Sequence, residues 1–280
     1  MPIIDSSGAR IAYAETGRGE TVVLLHASAS SGAQWRSLTE ELQGCWHVLA
    51  PDLHGYGRTD ARPEPALPGL GDDAALVDAI LGRGPGRFHL VGHSYGGAVA
   101  LRLAADQPAR LLSLTLSEPV AFHLLGRAPD GTRENDLMHE VASLAAAVAN
   151  AAATGDDQGM ARFIDYWSGA GTWLRLRPEV RHALAPQTAQ VARNFRAVTG
   201  ERARFGCLRR IDVPTLVLRG TASPAPTLRI AELVAQLLPR ARLQTVDGAG
   251  HLLPLTHGEA VNDAIADHLW RSRLTRPVAA

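Results

Sequence analysis

Lysine is missing altogether: all 28 basic residues of this 280-residue chain are arginine. That absence excludes Schiff-base catalysis and every serine mechanism that uses lysine as its base, leaving histidine for the role. Thiols are scarce too. Cys45 and Cys207 are the only two, which argues against a disulfide framework or a metal cluster and for a reducing compartment. No run of about 18 apolar residues occurs, and residues 1–13 lack the basic start and apolar run of a secretory signal. A soluble, cytoplasmic protein is expected. Acids balance bases at 28 each, so no broad field draws the chain to nucleic acid or to a membrane surface. The expected partner is a small, weakly charged substrate, no metal or other cofactor is called for, and the chain would act as a monomer or homodimer.

What is present is rhythm. Short apolar runs at 22–25, 48–50, 88–91, 111–116, 215–218 and 243–246 alternate with helical-period segments at 74–81, 97–105, 228–237 and 260–270. Runs without polar alternation are strands buried on both faces, and their alternation with helices predicts an α/β fold, a mostly parallel sheet flanked by helices. The Pro/Gly-rich stretch 63–71 reads as a surface loop. From 119 to 205 the rhythm breaks into Ala-rich helical sequence with Trp167 and Trp173. This segment is expected to be an inserted helical cap over the strand ends, where open α/β sheets bind ligands. The core is then 1–118 with 206–280, and the cap 119–205.

The sharpest local signal is Gly92-His93-Ser94-Tyr95-Gly96-Gly97, a G-x-S-x-G sequence that follows one strand candidate and opens a helix. Such an elbow lifts a serine clear of the sheet, needs small residues where backbones approach, and places a helix N-terminus beside developing negative charge. His93 reads as packing. With Leu24-Leu25-His26-Ala27, the segment from Pro51 to Thr59, Ile211 to Val217 and Gly248-Ala249-Gly250-His251, the sequence resembles the α/β-hydrolase superfamily over nearly its whole length. The resemblance implies an eight-stranded sheet, Ser94 as nucleophile and His251, in the loop after the last strand, as general base. It also implies an oxyanion hole built from the backbone amides of Ser28 and Tyr95, although Ala27 stands where the family usually has glycine.

One family feature is displaced. Most relatives carry the acid in a Gly-x-x-Asp loop, which here reads Gly220-Thr221-Ala222-Ser223. Serine cannot carry the charge that steadies an imidazolium. Some members hold their acid at the end of the strand after the nucleophile helix, and Glu118 occupies that place; Asp247 is the rival. Serine as nucleophile disfavours the dehalogenase and epoxide-hydrolase schemes, which use a carboxylate. Hydrolysis of a small, largely apolar ester or thioester is the leading expectation, with carbon–carbon cleavage of a diketone-like substrate or plain ligand binding as alternatives. Phe122, Trp167 and Trp173, with Phe163 and Leu174, are expected to line the substrate pocket.

Overall fold

The computed structural model describes residues 1–6, 8–62, 69–82, 86–156, 158–202 and 205–274. Eight strands are found there, in one sheet: β1 (Ile3–Ser6), β2 (Ala9–Thr16), β3 (Glu20–Leu25), β4 (Trp46–Pro51), β5 (Phe88–His93), β6 (Leu111–Ser117), β7 (Thr215–Gly220) and β8 (Ala241–Val246). Their spatial order is β1-β2-β4-β3-β5-β6-β7-β8. β2 runs antiparallel to both its neighbours, and every pair from β4 to β8 is parallel. All six apolar runs are strands. β5 and β6 are buried along their whole length, as continuous apolar runs in a covered parallel sheet require.

One expectation needs correction. β8 is an edge strand and only Val246 on it is buried, so its run is not covered on both faces. The other two of the eight strands, β1 and β2, are the least covered on the opposite side: β1 alternates exposed with half-buried positions at that edge, and β2 is half-buried or exposed from Tyr13 onward.

Helices cover both faces. On one lie α1 (Arg36–Leu42) and α12 (Gly258–Leu274); on the other lie α2 (Leu70–Leu81), α3 (Tyr95–Asp106) and α10 (Ala225–Leu237). α2 begins at Leu70, one turn before the expected start, capped by Gly69 with Asp72 reaching back to its amide. The loop reading of 63–71 therefore fails at its end, and its residues 63–68 lie outside the described ones. Between β6 and β7 come α4 (Arg133–Thr154), α5 (Gln158–Ser168), α6 (Thr172–Arg175), α7 (Pro178–Leu184), α8 (Thr188–Thr199) and α9 (Phe205–Leu208), with no strand among the described residues. α11 (Leu253–Thr256) precedes α12. The long α4 starts where Thr132 Oγ accepts from the Asn135 amide and stops at left-handed Gly155. It buries Leu137, Val141 and Val148 at helical spacing and packs on α5, α8 and α10.

Candidate active site

The turn from β5 into α3 places Ser94 at φ 55°, ψ −115°, a conformation that costs a non-glycine residue about 1–3 kcal/mol. Backbone crowding explains the glycines around it. A Cβ on Gly92 would come within 2.3 Å of the Gly96 carbonyl oxygen, and one on Gly96 within 2.5 Å of the carbonyl oxygens of Leu25 and His26. The strain is held by stitching to the next strand: the Ser94 amide donates to Ser117 O at 3.0 Å and Ser94 O accepts from the Val120 amide at 3.2 Å. Those two bonds bracket Glu118.

Glu118, His251 and Ser94 form a continuous hydrogen-bonded row. His251 Nδ1 lies 2.8 Å from Glu118 Oε2, and the Ser94 hydroxyl lies 2.9 Å from His251 Nε2. A carboxylate only accepts, so Nδ1 carries the proton and the hydroxyl donates to Nε2. The other carboxylate oxygen of Glu118 accepts from the Gly220 amide at 2.8 Å and from the Ser223 hydroxyl at 2.5 Å. Burial pushes the Glu118 carboxyl up, but the His251 bond and charge, with Ser223 and Gly220, outweigh it and hold the group below the usual carboxylate range. Ser223, in the loop where relatives keep an aspartate, thus donates to the acid that stands elsewhere. Asp247 is engaged away from the ring, its carboxylate accepting from the Thr221 hydroxyl at 3.2 Å.

The His251 loop is clamped from two sides. A Cβ on Gly220 would meet Ala249 O at 2.0 Å, and Ala249 O accepts from the Ala222 amide at 2.9 Å. His93 is fully buried and donates from Nε2 to His251 O at 2.8 Å. Burial drives its pKa down to about 3, so it stays a neutral donor. The residue read as packing therefore also fixes the loop that carries His251.

Ser28 and Tyr95 flank Ser94 in one pocket. Tyr95 is the first residue of α3, where amides have no helical acceptor, while the next amide, that of Gly96, donates to His26 O at 3.1 Å. His26 organises the loop before Ser28: its Nε2 accepts from the Leu53 amide at 2.9 Å, so Nδ1 donates to Ala27 O at 2.6 Å. Burial lowers its pKa to about 4, in keeping with a neutral ring. Alanine fits at 27 because the left-handed position of this loop falls on Ala29, φ 54°. The Ser28 hydroxyl accepts from Asn194 Nδ2 at 2.8 Å, and the same amide group donates to Tyr56 Oη at 3.0 Å. Asn194 comes from α8, and no sequence pattern marked it.

Apolar walls close over this floor: Val120, Phe163 and Trp167, then Val191, Phe195 and Val198. The cavity they leave beside Ser94 is narrow, about 20 Å³, and opens to solvent. Trp167 stacks on the His251 imidazole, with ring centroids 4.1 Å apart and planes at 30°. Three other expected lining residues lie elsewhere. Phe122 is buried one layer back, stacked on Trp167 and Phe195; Trp173 is buried where its amide donates to Asp165 at 2.7 Å; Leu174 is 74% exposed. Trp173 and Leu174 lie on a short α6 that packs on α5, and Phe122 opens the turn that follows β6. Among the described residues no group of three or more His, Cys, Asp or Glu side chains could hold a metal ion, and no helix is long and apolar enough to cross a membrane.

Known proteins resemble this chain at several levels. It is 38% identical over 120 residues, 42% of its length, to the dihydrolipoyllysine-residue acetyltransferase component of the acetoin cleaving system of Cupriavidus necator, of whose length it spans only 32%. It is 28% identical over 244 residues, 84% of its length, to the pimeloyl-[acyl-carrier protein] methyl ester esterase of Nitrosomonas europaea, covering 90% of that protein. The solved structure of a thermophilic esterase from Thermogutta terrifontis superposes with a TM-score of 0.71 at 25% identity, covering 96% of this chain and 97% of that one. A family model of the alpha/beta hydrolase fold matches residues 20–258, and this chain belongs to that family.

Proposed function

We propose that this protein is a serine hydrolase that cleaves an ester or thioester of a small, largely apolar substrate through an acyl-enzyme. The observation that carries the reading is the row Glu118–His251–Ser94, hydrogen-bonded at 2.8 and 2.9 Å and opening on an apolar pocket. Ser94 Oγ attacks the substrate carbonyl carbon while its proton passes to His251 Nε2. The ionised Glu118 stabilises the imidazolium that forms, and the amides of Ser28 and Tyr95 receive the developing oxyanion, each such donor being worth about 2.7–4 kcal/mol. Collapse of the tetrahedral adduct expels the alcohol or thiol with the proton from Nε2. Water then repeats the sequence, giving its proton to Nε2, attacking the acyl carbon and returning Ser94 as free hydroxyl. Helices α4–α8 act as the lid, with α5 and α8 supplying the pocket walls.

An empty aspartate position would favour a ligand-binding protein without turnover. Glu118, bonded to His251 and held by Ser223 and Gly220, supplies the missing charge and favours the enzyme. Treatment with a fluorophosphonate probe and peptide mass spectrometry tests the reading. One adduct per chain on Ser94, absent from Ser94→Ala, is expected; a chain that stays unlabelled refutes an activated serine.

A further inference from the structure

From Val191 onward the stripe that α8 buries is apolar except at one position: Asn194, 3% exposed, stands among Val191, Ala192, Phe195, Ala197 and Val198. Burying an amide is unfavourable unless its hydrogen bonds are met. Here Nδ2 donates to Ser28 Oγ at 2.8 Å and to Tyr56 Oη at 3.0 Å, and Oδ1 accepts from Gln190 Nε2 at 3.0 Å, one turn back. The Tyr56 phenol is hydrogen-bonded in turn to the Ser28 side chain and the Ala29 backbone. α8 is seated closely on this region, since a Cβ on Gly55 would meet Gln190 Oε1 at 2.5 Å. The loop that carries Ser28 needs such holding. Ala29 sits at φ 54°, a conformation strained for a residue with a Cβ and kept only where neighbours over-determine it. From the core, His26 Nδ1 donates to Ala27 O at 2.6 Å and Gln34 Oε1 accepts from the Ala27 amide at 3.1 Å; both act one residue before Ser28. Asn194 grips Ser28 itself, and it does so from the lid.

Resting on the hydrolase reading, with Ser28 as one of its oxyanion donors, we infer that Asn194 is a positioning residue: it fixes the Ser28 side chain, and through it the direction of the Ser28 amide, so that the oxyanion hole is fully formed only while α8 is seated. Asn194 lines the pocket, but both of its Nδ2 hydrogens are committed to Ser28 and Tyr56. It therefore acts through Ser28 and not on the substrate. The effect falls on the transition state, because the donor must meet the oxygen where it becomes an oxyanion, and a displacement of about 1 Å can cost about 100-fold in rate.

Asn194→Leu keeps the volume and removes the donor; Ser28→Ala keeps the backbone amide and removes the group that Asn194 grips. The test compares both variants, their combination and the wild type by the fraction of chains that a fluorophosphonate labels on Ser94 at completion, and by kcat/KM per labelled chain for p-nitrophenyl acetate. It also compares affinity for ethyl trifluoromethyl ketone, which adds to the serine and puts its oxyanion in the hole, with affinity for butanone, which stays a ground-state ligand. Asn194→Leu should label fully, lose about 10- to 100-fold in kcat/KM, lose the same factor for the fluorinated ketone and keep its affinity for butanone. The double variant should lose no more than about threefold beyond Ser28→Ala, because the two residues act through one bond. A merely structural role would lower the labelled fraction and leave the rate per labelled chain intact. A rate per labelled chain within about twofold of wild type in either single variant, or losses that multiply in the double variant, overturns the inference while the hydrolase reading stands. If Asn194→Leu fails to fold, Ser28→Ala decides by the same criterion, and if the wild type labels without turning the ester over, the ketone pair decides. A wild type that neither labels nor hydrolyses the ester overturns both.

Discussion

Glu118 leaves β6 with φ 46°, a backbone conformation that is strained for a residue with a Cβ and persists only where its surroundings over-determine it. Here its amide donates to Leu218 O, and its two carboxylate oxygens take bonds from His251, Gly220 and Ser223. All of that order serves one interaction, the charge opposite His251 Nδ1. Replacing Glu118 by glutamine keeps the shape and removes the charge, and the amide opposite Nδ1 favours the wrong tautomer. We expect kcat to fall by about 10⁴ with an unchanged circular dichroism spectrum. The second carboxylate site is a side chain away, since Ser223 Oγ already touches Glu118. The double variant Glu118→Gln, Ser223→Asp should therefore recover at least about tenfold of the loss, because close residues couple. Steady-state kinetics on any turned-over ester reads both effects, and a single variant with near-wild-type rate would remove Glu118 from the row. The sequence showed the vacancy at 223 and the carboxylate at 118 but not the bond between them, since a contact across 105 positions is set by adjacency of β6 and β7. Asn194 was harder still. An asparagine inside a helix carries no local signature, and its value comes only from where α8 lies against Ser28.

At the scale of elements, the strand–turn–helix around Ser94 was the easiest part to read, because every constraint on it is local. Gly96 lies under two carbonyls of the neighbouring β3 end, so its missing side chain is a packing requirement between α3 and β3 rather than a matter of turn conformation. Gly96→Ala should lower stability by at least about 1–3 kcal/mol, the usual range for overpacking, and displace the Tyr95 amide enough to reduce turnover. Gly71 gives the contrast. It lies in α2, where a Cβ would meet nothing closer than Arg102 Nη2 at 3.6 Å. Gly71→Ala should raise stability by up to about 1 kcal/mol through helix propensity. Urea midpoints of the two variants measure the difference directly; equal shifts would refute the crowding argument. β1 and β2 escaped notice for the opposite reason. They pair antiparallel at the sheet edge, where one face meets solvent, and the short run Ile11-Ala12-Tyr13-Ala14 in β2 is buried at only its first two positions.

Across the whole molecule formal charges cancel, and four buried histidines contribute a common slope of stability with pH, opposed by buried Asp73, whose carboxyl is pushed up by burial. Burial is the largest cause in each: it takes the pKa of His26, His123 and His268 down to about 4 and that of His93 to about 3, against 6.5 for the unfolded ring. Because the folded values are depressed, the unfolded chain binds more protons between pH 6.5 and about 4, and stability rises with pH across that window. The contribution is fully present above 6.5 and is lost as pH falls through the window. Each such histidine adds about 1.4 kcal/mol per pH unit to the slope inside it. Glu118, held below its ordinary value, adds a loss of the same sign at lower pH, below the unfolded carboxyl pKa. Urea midpoints should therefore change little from pH 8 to 7 and fall steeply from 6 to 5. His268, whose ring sits on the Leu114 carbonyl at 3.2 Å from α12 and far from the Ser94 row, isolates one step of this slope. His268→Gln should flatten the acid limb by about one histidine's share while leaving the pH dependence of turnover unchanged. A wild-type midpoint that is flat between pH 6 and 5 would mean that these rings take up protons in the folded protein as readily as in the unfolded chain, and the neutral state given to His93 behind His251 would fall with it.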